Sequence, residues 1–195
     1  MFTGIISHKG FFRGYNHGKQ EMFLAASSLF SQMKEGESLA VNGVCLSLVK
    51  KENSLLFFNL SEETLKKSTL GLIHPGDALN LELPLTLSQP LSGHLVTGHI
   101  DAAGKVLNII TKRNGKRFTI SFPRQLKPFF ILKGSVTLDG ISLTVADLRP
   151  TSFDVEIIPV TLKNTNINDW KRGRAVNIEC DIIGKYVYNY MVEQK

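Results

Sequence analysis

The sequence predicts an all-β protein built from two tandem, duplicated, small six-stranded barrels, with an α-helix at the C-terminal end. Three observations point there. First, the stretch Glu37-Ser-Leu-Ala-Val-Asn-Gly-Val-Cys-Leu-Ser-Leu-Val49 recurs as Gly134-Ser-Val-Thr-Leu-Asp-Gly-Ile-Ser-Leu-Thr-Val-Ala146, a shift of 97 residues from Asn42 to Asp139. The register then holds without a gap: Thr64-Leu-Lys66 answers Thr161-Leu-Lys163, Gly76 answers Gly173, and Ala78-Leu-Asn-Leu-Glu82 answers Ala175-Val-Asn-Ile-Glu179. Second, each copy consists of short apolar runs bounded by turn formers. Third, helical periodicity is scarce before the last dozen residues. A period of this length is too long for a solenoid unit of roughly 20–50 residues and suits a whole small domain. The expected units are residues 1–90 and 91–185, hinged at Leu87-Ser-Gln-Pro-Leu-Ser-Gly93, with a helix and tail over 183–195.

In chain order, Thr3–Ser7 opens the first unit as a strand, and Ala25–Met33 reads as a short helix. Leu39–Val41 and Cys45–Val49 form a hairpin on Asn42-Gly43, whose residues tolerate the positive φ of a tight turn. Leu55–Leu60 is the next strand. Ser61-Glu-Glu-Thr-Leu-Lys66 then offers an N-cap serine and two acids for a first helical turn. Leu79–Leu83 ends the unit. In the second unit the strands are His99–Ile110, Val136–Leu138, Ile141–Ala146, Phe153–Ile158 and Val176–Cys180. Lys112-Arg-Asn-Gly-Lys-Arg117 reads as a hairpin turn, and Pro159 starts the helical turn matching the one at Ser61. About six short strands per unit favour closure, because a barrel has no exposed edge. Ile183–Glu193 carries Tyr186, Val187, Tyr190 and Met191 on one stripe, fit to pack on its own barrel or on copies of itself.

Composition excludes several classes. Hydrophobic content of 43% and charged content of 21% are those of an ordinary globular chain rather than a disordered one. No apolar run approaches the roughly 20 residues of a membrane span. Met1–Ser7 has neither the basic region nor the apolar length of a secretory leader, so the expected location is cytoplasmic. Two distant cysteines, Cys45 and Cys180, make no disulfide framework. The net charge of +6 raises nucleic acid as a partner, but the basic residues are dispersed and the densest cluster is a solvated turn. Neither nucleic acid nor membrane is expected.

In the repeated hairpin, Cys45 and Ser47 share one strand face, as do Ser142 and Thr144. A lone cysteine there is by default a small apolar filler. Small polar groups at the same two places in both copies instead suggest a pocket lining. His94 and His99, five apart in Ser92-Gly-His-Leu-Val-Thr-Gly-His-Ile-Asp101, would face opposite sides of a strand, so a shared metal is not expected. There is no CxxC, HExxH or glycine-rich phosphate loop, and spacing assembles no Ser-His-Asp triad. Two related pockets that face each other would bring two identical ligands together.

At these residues the chain resembles the riboflavin synthase alpha-chain family. The matching motifs are Met1-Phe-Thr-Gly-Ile5, Asn42-Gly-Val-Cys-Leu-Ser47, Glu63-Thr-Leu65, Gly93-His-Leu-Val-Thr-Gly-His-Ile-Asp101, Lys133-Gly134, Asp139-Gly-Ile-Ser-Leu-Thr144 and Ile158-Pro159, spread over nearly the whole chain. The resemblance implies Greek-key barrels and the last step of riboflavin biosynthesis. Two molecules of 6,7-dimethyl-8-ribityllumazine would dismutate, one giving a four-carbon unit to the other. It also implies no metal and no cofactor, and a homotrimer assembled through the C-terminal helix, with each active site between the first barrel of one subunit and the second barrel of a neighbour. Lumazine synthase enters as a further partner.

Carried over by position, the substrate contacts would be Phe2, Gly4, Ile5, Ile6, Cys45, Leu46, Ser47, Gly98, His99 and Ile100, with Asn59, Leu60, Ser61, Glu62, Glu63 and Thr64 completing one site. Lys133, Ser142, Leu143, Thr144, Ile158, Pro159, Val160, Thr161, Leu162 and Lys163 would complete the other. The polar candidates for catalysis are Ser38, Cys45, Ser47, His99, Asp139, Ser142 and Thr144. His99 is preferred for proton transfer because imidazole ordinarily titrates near neutrality. Cys45 or a water would add to a lumazine ring. The chain departs from the family pattern at Ser47, Val160 and Asn166, which bears chiefly on the second site. The alternative implied by the same resemblance is a non-catalytic, fluorescent lumazine- or flavin-binding protein.

Overall fold

The computed structural model describes Met1–Glu193; residues 194 and 195, the end of the expected tail, lie outside the described residues. The elements run β1 (His8–Asn16), β2 (Glu21–Ala25), α1 (Ser27–Phe30), β3 (Ser38–Val41), β4 (Val44–Glu52), β5 (Leu55–Asn59), α2 (Glu62–Lys67) and β6 (Ala78–Glu82). The second series is β7 (Ala102–Lys112), β8 (Gly115–Ser121), β9 (Ser135–Leu138), β10 (Ile141–Leu148), β11 (Ser152–Ile157), α3 (Pro159–Asn164), β12 (Ala175–Cys180) and α4 (Ile182–Glu193). Each series closes on itself, in the orders β1-β2-β5-β4-β3-β6 and β7-β8-β11-β10-β9-β12. These are two Greek-key barrels of identical topology, as the duplication requires.

Alternation along each strand sends one face to a barrel interior. The first core is filled by residues such as Phe12, Met22, Leu24, Leu39, Leu48 and Phe58, the second by Phe118, Ile120, Leu138, Phe153, Val155 and Ile178. Leu29 and Met33, at i and i+4, plug an end of the first barrel. The helix expected over Ala25–Met33 is shorter for a visible reason. Ala25 is still paired in β2, and Lys51 Nζ donates to the carbonyls of Phe30 (3.0 Å) and Met33 (2.7 Å), which ends α1.

The basic hairpin turns at Arg113–Asn114, one residue before the expected centre at Asn114-Gly115, since Lys112 pairs with Gly115. Its cations are taken up locally: Lys112 and Arg117 pair with Glu156, and Arg117 Nε also meets Asp154 at 2.7 Å. Ser61 caps α2 by accepting the Thr64 N–H, and Pro159 occupies the first turn of α3. The helix α4 starts one residue before its expected limit. It docks through Phe129 against Tyr188, with ring centroids 5.2 Å apart, and through Lys185 Nζ on Asp101 at 2.7 Å. Tyr186, Val187, Tyr190 and Met191 remain exposed. No helix among the described residues is long and apolar enough to cross a membrane.

The segment Thr3–Ser7, expected as a strand of the first barrel, is not one. Among the described residues, the bridge nearest to it pairs Phe2, just before the segment, with Val96. That difference builds the site.

Candidate functional site

Two short segments run antiparallel between the barrels and exchange sides. The amide of Phe2 donates to the carbonyl of Val96 (2.7 Å), Val96 donates back (3.1 Å), and His94 donates to Thr3 (3.1 Å). From this bridge the first segment runs onto the second barrel. The Ser142 N–H donates to the Gly4 carbonyl at 2.7 Å, and Ile6 packs on the second core. The other segment runs onto the first barrel: Cys45 N–H donates to the Gly98 carbonyl at 2.9 Å, and Ile100 packs on the first core. Both glycines are required. Each has a positive φ (76° and 84°), and a Cβ would stand 2.6 Å from the Ser142 Cβ or 2.5 Å from the Cys45 Cβ.

Two carboxylates anchor the exchange. Glu82 at the end of β6 accepts the N–H and hydroxyl of Thr3 on Oε1, both at 2.7 Å, and the Gly4 N–H on Oε2 at 3.0 Å. Glu179 in β12 does the same for Thr97 (2.7 Å twice) and Gly98 (3.0 Å). Burial pushes both carboxyls above the usual carboxylate range, while these donors pull against it.

On the first barrel this arrangement leaves a cavity of about 280 Å³, lined by Val44, Cys45, Ser61, Glu63, Thr64, Lys67, Ser68, Gly98, His99 and Ile100. The β4 strand supplies the half-buried Cys45, α2 supplies the polar wall, and the crossing segment supplies His99. The floor beneath Cys45 is a small apolar cluster of Phe2, Ala40 and Val96, with Phe2 fully buried. The cavity therefore joins a thiol, an imidazole, a carboxylate and an ammonium against an apolar wall. Such a set suits a planar polar heterocycle with a hydroxylated chain.

At the equivalent place on the second barrel the chemistry differs. Ser142 replaces Cys45, and Ile5, Ile158 and Val160 replace His99, Ser61 and Glu63. Those three apolar side chains are 47%, 57% and 55% exposed, an uncovered apolar surface. Here Ser142 gains a partner that Cys45 lacks. His94 lies buried with Nδ1 2.7 Å from the Ser142 hydroxyl and Nε2 3.0 Å from that of Thr137. Burial lowers the His94 pKa, with Asp181 opposing, which favours the neutral ring and a hydroxyl–imidazole–hydroxyl chain.

The expected site residues divide accordingly. Cys45, Ser61, Glu63, Thr64, Gly98, His99 and Ile100 come together around the cavity. Leu46 and Leu60 face the first core, while Asn59 and Glu62 are exposed beside the cavity wall. Ser38 and Ser47 are register partners on the outer face, two register positions along from Ala40 and Cys45. Phe2 sits under Cys45 rather than in the opening. On the second barrel Gly4 lies against Ser142, Ile6, Leu143 and Leu162 pack on the core, and Thr144 pairs with Ser135 as Ser47 does with Ser38. Lys133, Pro159 and Lys163 are exposed, and Thr161 is half-buried in α3.

Asp139 belongs to neither opening. Its turn meets the Asn42 turn back to back, close enough that a Cβ on Gly43 would stand 2.7 Å from the Gly140 nitrogen. The carboxyl is buried in this seam with Arg174 3.9 Å away, and burial raises its pKa to about 6. Sequence reasoning passed over Val44, Lys67 and Ser68, which line the cavity, and Glu82 and Glu179, and it weighed His94 only as a metal-binding partner of His99. The Leu-Asn-Leu-Glu and Val-Asn-Ile-Glu repeats marked both glutamates, but their partners lie 78–82 residues away.

A family model described as a lumazine binding domain matches the chain twice, over residues 3–84 and 97–181. The riboflavin synthase of Actinobacillus pleuropneumoniae is 37% identical over 100% of this chain and 91% of its own length. That of Bacillus subtilis is 33% identical over 98% of this chain and 90% of its own. Among solved structures, LumP complexed with 6,7-dimethyl-8-(1'-D-ribityl) lumazine aligns with a TM-score of 0.82 at 18% identity, covering 92% of this chain and 99% of that one. LumP complexed with riboflavin aligns at 0.84 and 19% identity with the same coverage. The LumP likeness is one of fold.

Proposed function

The chain belongs to the riboflavin synthase family of duplicated lumazine-binding domains, and we propose that it performs that family's reaction. Two molecules of 6,7-dimethyl-8-ribityllumazine would give riboflavin and 5-amino-6-ribitylamino-2,4(1H,3H)-pyrimidinedione. The two products together contain every atom of the two substrates, so the transfer needs no net oxidant or reductant. The observation that carries this reading is the cavity at Cys45 together with the equivalent surface at Ser142, each built from a strand, a short helix and a segment crossing from the other barrel. Units 1–90 and 91–185 would each hold one lumazine. Holding two identical rings against one another removes much of the entropic barrier of a bimolecular step.

In this reading His99 takes the acidic methyl proton from one lumazine, while Cys45 or a water adds reversibly to the ring of the other and is expelled again as the four-carbon unit is transferred. Glu63 and Lys67 bind the polar edge and the ribityl hydroxyls. On the second barrel Ser142, held by His94, is the polar contact on an otherwise apolar surface. The exposed stripe of α4 assembles a homotrimer in which the first barrel of one subunit faces the second barrel of the next. Cytoplasmic location and association with a lumazine synthase complete the proposal.

A second reading has its own support. The second opening carries Ile5, Ile158 and Val160 where the first carries His99, Ser61 and Glu63, an asymmetry that fits a carrier of lumazine or flavin with one reactive site lost. The purified protein given 6,7-dimethyl-8-ribityllumazine separates the two. Chromatographic recovery of both riboflavin and the pyrimidinedione establishes the synthase; tight binding with neither product establishes the carrier.

A further inference from the structure

We propose that Glu82 and Glu179 are reciprocal positioning residues, each buried carboxylate holding in place the segment that completes the ligand site on the opposite barrel. The proposal rests on the reading of two lumazine sites per chain.

Glu179 belongs to β12 of the second barrel and is 2% exposed. The three hydrogens it accepts all come from Thr97 and Gly98. The carbonyl of that same Gly98 accepts the Cys45 N–H, and the next residue, His99, lines the first-barrel cavity. Glu82, in β6 of the first barrel and 5% exposed, holds Thr3 and Gly4, whose carbonyl accepts the Ser142 N–H of the second barrel. The two constellations agree bond for bond at 2.7, 2.7 and 3.0 Å. Neither segment is fixed by its own barrel's ladder.

A carboxylate is required because all three partners are donors. A glutamine in its place would aim an NH2 at one of the backbone N–H donors, donor against donor. Charge-assisted bonds of this kind make a differential of roughly 10- to 100-fold in the affinity of the site they support. The effect should be confined to the opposite barrel, which a general loss of folding would not produce.

The test uses the full chain, with 6,7-dimethyl-8-ribityllumazine as probe and two readouts taken before the ligand turns over: rapid-mixing fluorescence titration for total sites, and protection of Cys45 from a fast thiol-alkylating reagent for the first-barrel site. Cys180 is buried and serves as the unreactive background. In Glu179→Gln, about half of the bound ligand should be lost together with protection of Cys45. In Glu82→Gln, about half should be lost while protection of Cys45 persists. Where a glutamine variant does not fold, Thr97→Val and Thr3→Val remove one of the three bonds at nearly constant volume and should give the same pattern, more weakly. Wild-type protein that binds no lumazine removes the functional reading and this proposal with it. Wild-type protein that binds it, with variants that keep both sites or lose both together, overturns the proposal alone.

Discussion

Asn80 and Asn177 reach across the seam to the same backbone atom of each other's turn. Asn80 Nδ2 donates to the Asp139 carbonyl at 2.9 Å, and Asn177 Nδ2 donates to the Asn42 carbonyl at 2.8 Å. Each side-chain oxygen also crosses, accepting from Asn166 N–H (2.7 Å) and Thr69 N–H (2.6 Å) respectively. Both residues are essentially inaccessible. A local twofold relation between the barrels is thus written in hydrogen bonds, and it fixes the separation of the two openings.

Replacing Asn177 with alanine leaves a buried carbonyl and a buried N–H unpaired, at a cost of about 3 kcal/mol. Calorimetry should show melting lowered by roughly 10 °C for a chain of this size. A change of less than about one degree would mean that the seam does not contribute to stability.

Asp139 should make stability fall as the medium becomes less acidic. Burial raises its carboxyl from 3.8 to about 6, with Arg174 and the Asn177 N–H opposing. The folded form therefore holds the proton more tightly than the unfolded chain does. The stabilisation is complete below 3.8 and is lost as pH rises through about 6, a component of about 3 kcal/mol. Asp139→Asn, the amide that Asn42 already provides in the first unit, should flatten the unfolding free energy over this window. An unchanged pH profile would contradict the assignment.

His99→Ala should lower turnover by about 100-fold or more, as expected for loss of a proton-transfer group. Lumazine affinity should change far less, because the cavity keeps Cys45, Glu63 and Lys67. Unchanged turnover removes the role given to His99.

Tyr190 is 67% exposed on α4 and lies away from the contact between Tyr188 and Phe129. Tyr190→Glu should convert the proposed trimer into monomers in light scattering, with turnover falling in parallel because the two proposed sites would no longer face one another. An unchanged mass would place assembly elsewhere on the surface.

Much of this was legible because the chain repeats itself. The hairpins on Asn42-Gly43 and Asp139-Gly140, the helix capped by Ser61, the helix started by Pro159, and the stripe on α4 are local patterns with local causes. The strands β1, β2 and β8 were not read from the sequence; in β1, Gly10 and Gly14 interrupt the apolar run and a bulge between Phe12 and Gly14 shifts its register. The crossing of the two segments was hidden as well. A pattern of 97 residues shows which residues correspond, but not that Gly4 completes the barrel of Ser142 while Gly98 completes that of Cys45. Asp139 was expected among the catalytic candidates as a polar residue of a motif that carries the family resemblance; only the back-to-back contact of Gly43 with Gly140 places its turn in the seam.

The most direct test of the account follows absorbance while purified protein consumes 6,7-dimethyl-8-ribityllumazine as sole substrate. Dismutation predicts one riboflavin formed for every two lumazines lost, with the ratio constant through the time course. Lumazine bound without any riboflavin formed would contradict the account and leave a carrier protein built on the same two barrels.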